Sequence, residues 1–395
     1  MVCDMKTISS THQEHNVTTV GFVRRGYSAA GGAEAYLKRL AAGLLARGYR
    51  VVLLGTGAWP VEAWPGGEVV TFANRSLHEF SKQVLESKKK YNLDLLFSLE
   101  RVPGCDIFRA GDGVHAAWLE HRKKRESFFK RWFSSWMPRH RAIMAMERQL
   151  FAPQASTLII ANSEMVAQEI ERYFSFPKAQ VRVIPNGVPP VKELTQEERR
   201  GAREIFGIGE REFVVLFVGS GWRRKGLKIA MDAVEKRIST QQAHDRPMRL
   251  YVAGRGRRPS TPSKAVRFLG PVKKMELLYS AADLFILPTL YDPFSNASLE
   301  ALAAGLPVMT TRSNGSSEII EDGVHGSLVD DPSDVDAFAR AISFWNERLN
   351  SDDATKTREA CRRLGAFFSM ERNIESTLEV LEEALVKRSV AKVSH

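Results

Sequence analysis

Two carboxylates flank the predicted start of a helix in the last third of the chain. Asp292 lies in a loop after a hydrophobic stretch, and Glu300 follows with seven residues between them. The expected first turn contains Ser295, Asn296 and Ala297, whose backbone N–H groups have no partner within the helix. Such a helix start attracts anions, whereas the carboxylates suit hydroxyl groups. The spacing therefore predicts a site for a ligand that carries a diphosphate between two hydroxyl-rich sugars.

A basic loop that follows a predicted strand offers the complementary charge. Gly221 permits close approach of a ligand to the backbone, and Arg223, Arg224 and Lys225 place three cations in one turn. Most Arg/Lys clusters are solvated surface, but a position directly after a hydrophobic strand favours contact with a diphosphate. Another loop contains Val272, where a nucleotide base can meet backbone groups.

The first half of the chain contributes three more candidates. Gly32 lies at the start of a helix predicted over residues 32–47, where a phosphate or an acceptor can approach the helix N-terminus. Asp112 and His115 follow a predicted strand and are expected to face the same ligand. Both are therefore candidates for contact with an acceptor or with a transferred group.

A basic segment at residues 121–137 interleaves cations with large apolar side chains. On a helix the aromatic residues recur every four positions and form one broad face. Such a helix is typical of an anionic membrane interface, which we favour, although it can also bind single-stranded nucleic acid or lie in the core. The predicted membrane contacts are Lys123, Lys124, Phe128, Phe129, Lys130, Arg131, Trp132, Phe133 and Trp136.

Hydrophobic strands that alternate with helices are expected to position these residues. Strand–loop–helix–strand units begin near residue 17 and again near residue 212, which predicts an α/β fold with two Rossmann-like β/α/β domains facing a cleft. Ligands of such sheets bind beyond the carboxyl ends of the strands. The predicted domains are residues 1–189 and 190–370, and residues 371–395 are expected to form a helix that packs back on the first domain.

Composition and charge narrow the classes of protein further. The 395 residues have a net charge of +11, which indicates an anionic partner such as nucleic acid, an acidic membrane surface or a phosphorylated substrate. Three cysteines without C-x-x-C spacing are typical of a reducing cytoplasm. No apolar run approaches the roughly 20 residues of a membrane span, and the polar N-terminus lacks an export signal. We therefore expect a cytoplasmic protein.

In combination, these segments resemble one known family, the GT-B retaining glycosyltransferases of family 4. The hallmark of that family is a Glu-x7-Glu spacing, which corresponds here to Asp292 and Glu300. The resemblance extends over nearly the whole chain and includes residues 31–34, 220–226 and 281–288. It implies that the first domain lies on the acceptor side and that the second domain binds a nucleotide sugar.

The resemblance also implies roles for individual residues. Glu300 would hold the ribose hydroxyls, Asp292 would contact hydroxyls of the transferred sugar, and a histidine such as His115 often lies near that sugar. The groups that would hold the diphosphate are the backbone N–H groups of Asn296 and Ala297 and the side chains of Arg224 and Lys225. The aspartate at position 292 replaces the family's usual glutamate, so its carboxylate has a shorter reach towards the sugar. Asp292 can also cap the following helix.

Residues 102–112 and 138–151 resemble more narrowly the lipopolysaccharide core glucosyltransferase I branch of family 4. That branch implies a UDP-glucose donor and a lipid-anchored acceptor, the inner core of lipopolysaccharide. It further implies a peripheral location on the cytoplasmic face of the inner membrane. The expected partners are a nucleotide sugar, a lipid-linked glycan and an anionic membrane surface, and nucleic acid is not among them.

The implied chemistry is transfer of a hexose with retention of configuration, in which the leaving diphosphate accepts the proton of the acceptor. No cofactor and no metal are expected, because Asp334 and Asp336, which have the spacing of a metal-binding pair, are interpreted as the start of a helix. Two alternatives remain open. One is an isomerase like UDP-N-acetylglucosamine 2-epimerase, which needs no acceptor, and the other is a non-catalytic protein that binds anionic surfaces.

Overall fold

The structure, a computed structural model, forms two compact units, Met1–Phe97 and Ser98–His395. Each unit is built from parallel strands alternating with helices, which is the alternation that the sequence predicts. The residues that the structure describes are 17–27, 32–57, 59–73, 76–123, 138–241, 246–258 and 263–393.

The first unit is a parallel sheet with helices between its strands. Its strands are β1 (Thr19–Arg24), β2 (Arg50–Thr56), β3 (Glu68–Phe72) and β4 (Leu95–Ser98), whose last residue opens the second unit. Its helices are α1 (Gly32–Ala46) and α2 (Leu77–Lys90). The strand order is β3-β2-β1-β4, and β1 and β2 are buried almost throughout. Such uniformly apolar strands are typical of a parallel sheet that is covered on both faces.

The second unit begins with three short parallel strands and the helices that connect them. The strands are β5 (Ile107–Arg109), β6 (Leu158–Ala161) and β7 (Val181–Val183), which pair in that order. The helices are α3 (His115–Lys123), α4 (Pro138–Leu150) and α5 (Glu164–Phe174). Because all three strands run in the same direction, the loops that follow them emerge at one edge.

A six-stranded parallel sheet forms the rest of the second unit, in the order β10-β9-β8-β11-β12-β13. Its strands are β8 (Phe213–Val218), β9 (Met248–Ala253), β10 (Val266–Gly270), β11 (Leu284–Leu287), β12 (Val308–Thr311) and β13 (Gly326–Val329). Its helices are α6 (Gln196–Ile205), α7 (Leu227–Ser239), α8 (Met275–Ala281), α9 (Asn296–Ala303), α10 (Val335–Arg348), α11 (Asp353–Phe367) and α12 (Met370–Val393). From β8 the chain adds β9 and β10 towards one edge of the sheet, and it then returns to add β11, β12 and β13 on the other side of β8. The direction of strand addition therefore reverses between β8 and β11.

Three short 3₁₀ turns complete the secondary structure: Val61–Ala63, Lys178–Gln180 and Gly315–Ile319. Asp334 caps α10, since its carboxylate accepts a hydrogen bond from the Ala337 N–H at 2.8 Å. This confirms that the Asp-x-Asp spacing at 334–336 marks a helix start. Two strands, β3 and β13, were not predicted from the sequence.

The C-terminal helix α12 contacts β7 and the segment that follows it. Glu383 of α12 forms an ion pair with Arg182 at 2.7 Å, and the Met370 N–H donates to the Val188 carbonyl at 2.9 Å. The boundaries at residues 189 and 370 stay predictions.

Among the described helices, none combines the length and the apolar character that crossing a membrane requires.

The close pairing of β12 and β13 gives a test of the second sheet. Gly326 of β13 lies opposite Val308, whose carbonyl oxygen would be 1.9 Å from an added Cβ. We expect Gly326→Ala to lower the free energy of unfolding by about 1–3 kcal/mol or more, because a backbone atom cannot swing aside. Gly201→Ala in α6, where an added Cβ has no heavy atom within 4 Å, should raise it by up to about 1 kcal/mol. Urea unfolding compares the two, and equal effects would contradict the close packing.

Candidate functional site

The loops after β8 and β11 bring two cations to one carboxylate. Lys225 places its Nζ 2.8 Å from Asp292 Oδ2, and Arg224 places its Nη1 3.6 Å from the same oxygen. Arg224 also donates to the Tyr291 carbonyl at 2.9 Å. The structure thus brings Asp292 to two cations that lie more than sixty positions earlier in the sequence, and the sequence analysis selected the carboxylate and the basic loop separately.

Asp292 is a buried carboxylate with spare hydrogen-bonding capacity. Its residue is 6% exposed, and its Oδ2 is paired with the Lys225 ammonium at 2.8 Å. Because a carboxylate can accept several hydrogen bonds, a ligand hydroxyl would find an acceptor ready. The interpretation of Asp292 as the helix cap is wrong: Ser295, immediately before α9, accepts the hydrogen bond of the Ser298 N–H.

The N-terminus of α9 lies beside this carboxylate. Ser295 is buried at the cap, whereas Asn296 is exposed and Ala297 is half-buried. The side-chain Oδ1 of Asn296 accepts from Asn186 Nδ2 at 2.6 Å, and Asn186 Oδ1 in turn accepts from Arg109 at 2.9 Å. The sequence analysis missed Asn186, although its place in a Pro-Asn-Gly turn could have drawn attention to it.

Glu300 is held by a tyrosine from a neighbouring helix. The hydroxyl of Tyr279, in α8, donates to Glu300 Oε2 at 2.8 Å. Burial raises the pKa of Glu300, while Tyr279 and then the charge of Lys225 act to lower it. One Glu300 oxygen is thus already oriented. Nothing in the sequence distinguishes Tyr279 from an ordinary core aromatic residue.

The other group of candidates lines a cavity of about 520 Å³ that also reaches Asp292. Asp112 is exposed at its rim, and His115 is half-buried. Both therefore share one cavity with Arg224 and Asp292. The lining residues are Arg101, Gly111, Asp112, His115, Trp118, Arg139, His140, Ile143, Arg224, Tyr291, Asp292 and Pro293.

His115 is anchored through its backbone and its ring. Its N–H donates to Glu147 Oε1 at 2.8 Å, and its Nε2 lies 2.9 Å from Nδ1 of His140. Glu147 is fully buried and pairs with Arg101 at 2.9 Å. Burial, followed by the positive charge of Arg101, lowers the pKa of His115 to about 4. The imidazole is therefore neutral at pH 7, and it acts there as a hydrogen-bonding group rather than as a cation.

Tyr291, next to Asp292 in the chain, joins this cavity to α5. Its hydroxyl donates to Glu169 Oε2 at 2.7 Å and accepts from the Val114 N–H at 3.3 Å. Gly113 has φ +69°, and an added Cβ would lie 2.5 Å from the Tyr291 hydroxyl. Burial raises the pKa of Glu169 to about 7. The sequence analysis missed this contact, which requires residues 122 positions apart.

The remaining candidates lie elsewhere or outside the described residues. Gly32 is the first residue of α1 in the first unit. Gly221 and Arg223 are exposed and line a second cavity of about 500 Å³, and Val272 packs against the core of the second sheet. Lys123 is exposed at the end of α3. The other predicted membrane contacts, at residues 124–136, lie outside the described part of the chain.

Within the described part, no group of three or more His, Cys, Asp or Glu side chains is arranged to hold a metal ion.

Two family profiles match the chain. Residues 30–192 match the profile described as Glycosyltransferase Family 4, and residues 212–346 match the one described as Glycosyl transferases group 1. An uncharacterized glycosyltransferase of Methanocaldococcus jannaschii is 32% identical over 227 residues, which are 53% of this chain and 56% of the relative. The chain therefore spans little more than half of that relative. The lipopolysaccharide glucosyltransferase WaaG of Escherichia coli is 25% identical over 331 residues, 79% of this chain and 85% of WaaG.

Solved structures show the same fold. The crystal structure of WaaG, a glycosyltransferase involved in lipopolysaccharide biosynthesis, matches with a TM-score of 0.75 at 22% identity, over 91% of this chain and 99% of that one. The Anabaena protein HepE in complex with UDP-glucose matches with a TM-score of 0.68 at 16% identity, over 92% and 99%. These likenesses confirm the predicted fold class, two Rossmann-like domains with parallel sheets.

The raised pKa of Glu169 predicts a pH-dependent stability. A carboxyl whose pKa is about 7 in the folded state and 4.5 otherwise contributes stability below pH 4.5 and loses it as the pH rises through 7. Glutamine stays neutral at every pH, so we expect Glu169→Gln to avoid the loss of stability above pH 7. Its melting temperature at pH 8 should therefore be higher than that of the wild type. The gain should shrink towards pH 5, and its upper bound is about 3.5 kcal/mol at ~1.4 kcal/mol per pKa unit.

The control for this experiment is Glu171→Gln in the same helix, whose side chain is 44% exposed. Melting temperatures of the three proteins from pH 5 to pH 8 make the comparison. A Glu169→Gln protein that is less stable than wild type at pH 8 would contradict a raised pKa at this position.

Proposed function

The chain belongs to the glycosyltransferases, with a family 4 domain at residues 30–192 and a group 1 domain at residues 212–346, and on this premise we propose what it transfers. The donor is a nucleotide diphosphate sugar, UDP-glucose, and the acceptor is a lipid-anchored glycan such as the lipopolysaccharide inner core. The group transferred is a hexose, glucose, and its anomeric configuration is retained.

A single observation carries this proposal: one lysine, Lys225, interacts with both candidate carboxylates at the edge of the second sheet. It contacts Asp292 at 2.8 Å, and its charge also acts on Glu300. A sugar nucleotide has a diphosphate between two groups that carry hydroxyls. Lys225 can bind the diphosphate, and Asp292 and Glu300 can accept hydrogen bonds from the hydroxyls. The start of α9 adds backbone N–H donors for the diphosphate.

In the proposed reaction, the donor's anomeric carbon–oxygen bond breaks and the acceptor hydroxyl forms the new bond on the same face. The departing diphosphate takes the acceptor's proton, so no protein base is required. Arg224 and Lys225 stabilise the charge that builds up on the diphosphate, because cations held in place in a partly buried site need no rearrangement as the charge develops. Asp292 holds hydroxyls of the sugar, and Asp112 and His115 contact the sugar or the acceptor.

We propose that the reaction needs no metal. The two aspartates with the spacing of a metal-binding pair have other partners: Asp334 caps α10 and Asp336 pairs with Lys236. Arg224 and Lys225 take the place that a divalent cation would fill beside a diphosphate.

The choice of donor and acceptor rests on likeness to named proteins. WaaG is a lipopolysaccharide glucosyltransferase, and HepE was solved with UDP-glucose. The aromatic and basic residues at 121–137 would hold the enzyme on the cytoplasmic face of the inner membrane, beside a lipid-anchored acceptor.

Lys225→Ala tests the proposed chemistry. We expect turnover of UDP-glucose to fall on the order of 10²-fold or more, because the variant lacks a cation that stabilises the leaving diphosphate. Lys228→Ala, which removes an 82% exposed lysine three residues away, should keep wild-type activity. Release of UDP in the presence of a lipopolysaccharide acceptor measures both, and near-normal turnover by Lys225→Ala would overturn the assignment.

A panel of nucleotide sugars tests the proposed donor. A ligand that binds only the folded protein raises its melting temperature, so UDP-glucose should give the largest shift among UDP-, GDP- and ADP-sugars. Chelation of divalent cations should leave that shift unchanged. The Asp292→Asn variant should keep the shift with UDP but lose the extra shift with UDP-glucose, since its amide is a weaker acceptor for sugar hydroxyls. A larger shift with another base or sugar would revise the donor.

A further inference from the structure

Two side chains, those of Arg122 and His140, form a series of contacts that ends at His115. Arg122 places its Nη1 3.5 Å from Nε2 of His140, and Nδ1 of His140 lies 2.9 Å from Nε2 of His115. Arg122 and His115 belong to α3 and His140 belongs to α4. We propose that His140 is a positioning residue that fixes the tautomer of His115, so that His115 presents an Nδ1–H donor to a ligand in the cavity.

The position of each proton follows from the first member of the chain. A guanidinium can only donate, so the His140 nitrogen that faces Arg122 must be the unprotonated one. The proton of neutral His140 then lies on Nδ1 and is donated to Nε2 of His115. Nε2 of His115 is therefore bare, and its proton lies on Nδ1. The reverse order would direct the N–H of His140 at a cation.

The surroundings keep both rings neutral, which is the condition for this argument. Burial and then the neighbouring arginines lower the pKa of both histidines, that of His115 to about 4. The charged groups that act on the pair are Arg101, Arg122 and Arg139. If the His140 ring were flipped by 180°, carbon atoms would face His115 and Arg122 in place of the two nitrogens. Only the observed orientation keeps both contacts.

The consequence concerns what His115 can do. Its Nδ1 has no hydrogen-bond partner among the described residues, and its ring lines the same cavity as Asp292. An Nδ1–H there can donate to a hydroxyl or phosphate oxygen but cannot accept a proton. This role for His115 towards the substrate rests on the proposed function, whereas its tautomer does not.

Nitrogen NMR measures the tautomer directly. Protein labelled with ¹⁵N-histidine is recorded at pH 7 without ligand, and the His115 signals are assigned by their loss in His115→Gln. We expect a protonated Nδ1 and a bare Nε2 for His115. His140→Phe, which removes the donor, should let His115 exchange between both tautomers. His140→Asn, whose amide N–H can occupy the position of Nδ1, should restore the wild-type pattern, and His78→Phe at an exposed position should leave it unchanged.

A protonated Nε2 in wild type, or an unchanged His115 in His140→Phe, would overturn the inference. Kinetics add a second measurement: kcat with UDP-glucose should fall about tenfold in His140→Phe, the size typical of a lost orienting partner, with KM unchanged and kcat restored in His140→Asn. An equal loss of kcat in both variants would also count against it. Because the NMR arm uses no substrate, a fixed tautomer in a protein that does not turn over UDP-glucose supports the inference while refuting the proposed function.

Discussion

The reversal of strand order between β8 and β11 is the constraint from which the candidate site follows. At such a point the chain leaves the sheet in two directions, and the loops after the two strands lie side by side. Lys225 follows β8 and Asp292 follows β11, and their side chains meet at 2.8 Å. Glu300 is added by α9, which the same loop introduces. Because β8 and β11 are parallel neighbours, the loops that follow them emerge next to each other at the same edge of the sheet.

Hydrogen bonds from other elements hold the loop after β11 in place. Ser163, at the start of α5, donates to the Pro293 carbonyl at 2.8 Å, and Gly315 donates to the Asp292 carbonyl at 2.9 Å. The Glu318 carboxylate accepts from two N–H groups at the start of α5, where negative charge is favoured by the helix dipole. The loop that contains Asp292 is thus fixed from several sides, as a site of defined geometry requires.

The loops of the site could be predicted from the sequence, because each is a short run of glycines, basic residues or aspartates directly after a hydrophobic strand. The residues that contact those loops could not be predicted from the sequence. Tyr279 and Glu147 act through contacts to residues 21 and 46 positions away, and each resembles an ordinary member of an apolar or amphipathic helix. The missed strand β3 is only half-buried, so it lacks an uninterrupted apolar run. Asp292 was a plausible cap, but Ser295 stands one position before the helix and takes that role.

The ion pair between Lys225 and Asp292 also acts as a filter. The protein has a net charge of +11, so it attracts many small anions. Lys225, however, is already paired with the Asp292 carboxylate. A simple anion that drew Lys225 away would leave the buried Asp292 carboxylate with only its longer contact to Arg224, at 3.6 Å, and losing a partner of a buried ion pair is costly. A ligand that brings hydroxyls for Asp292 together with an anion for Lys225 avoids that cost. The ion pair between Lys225 and Asp292 therefore disfavours a simple anion such as inorganic phosphate at this site.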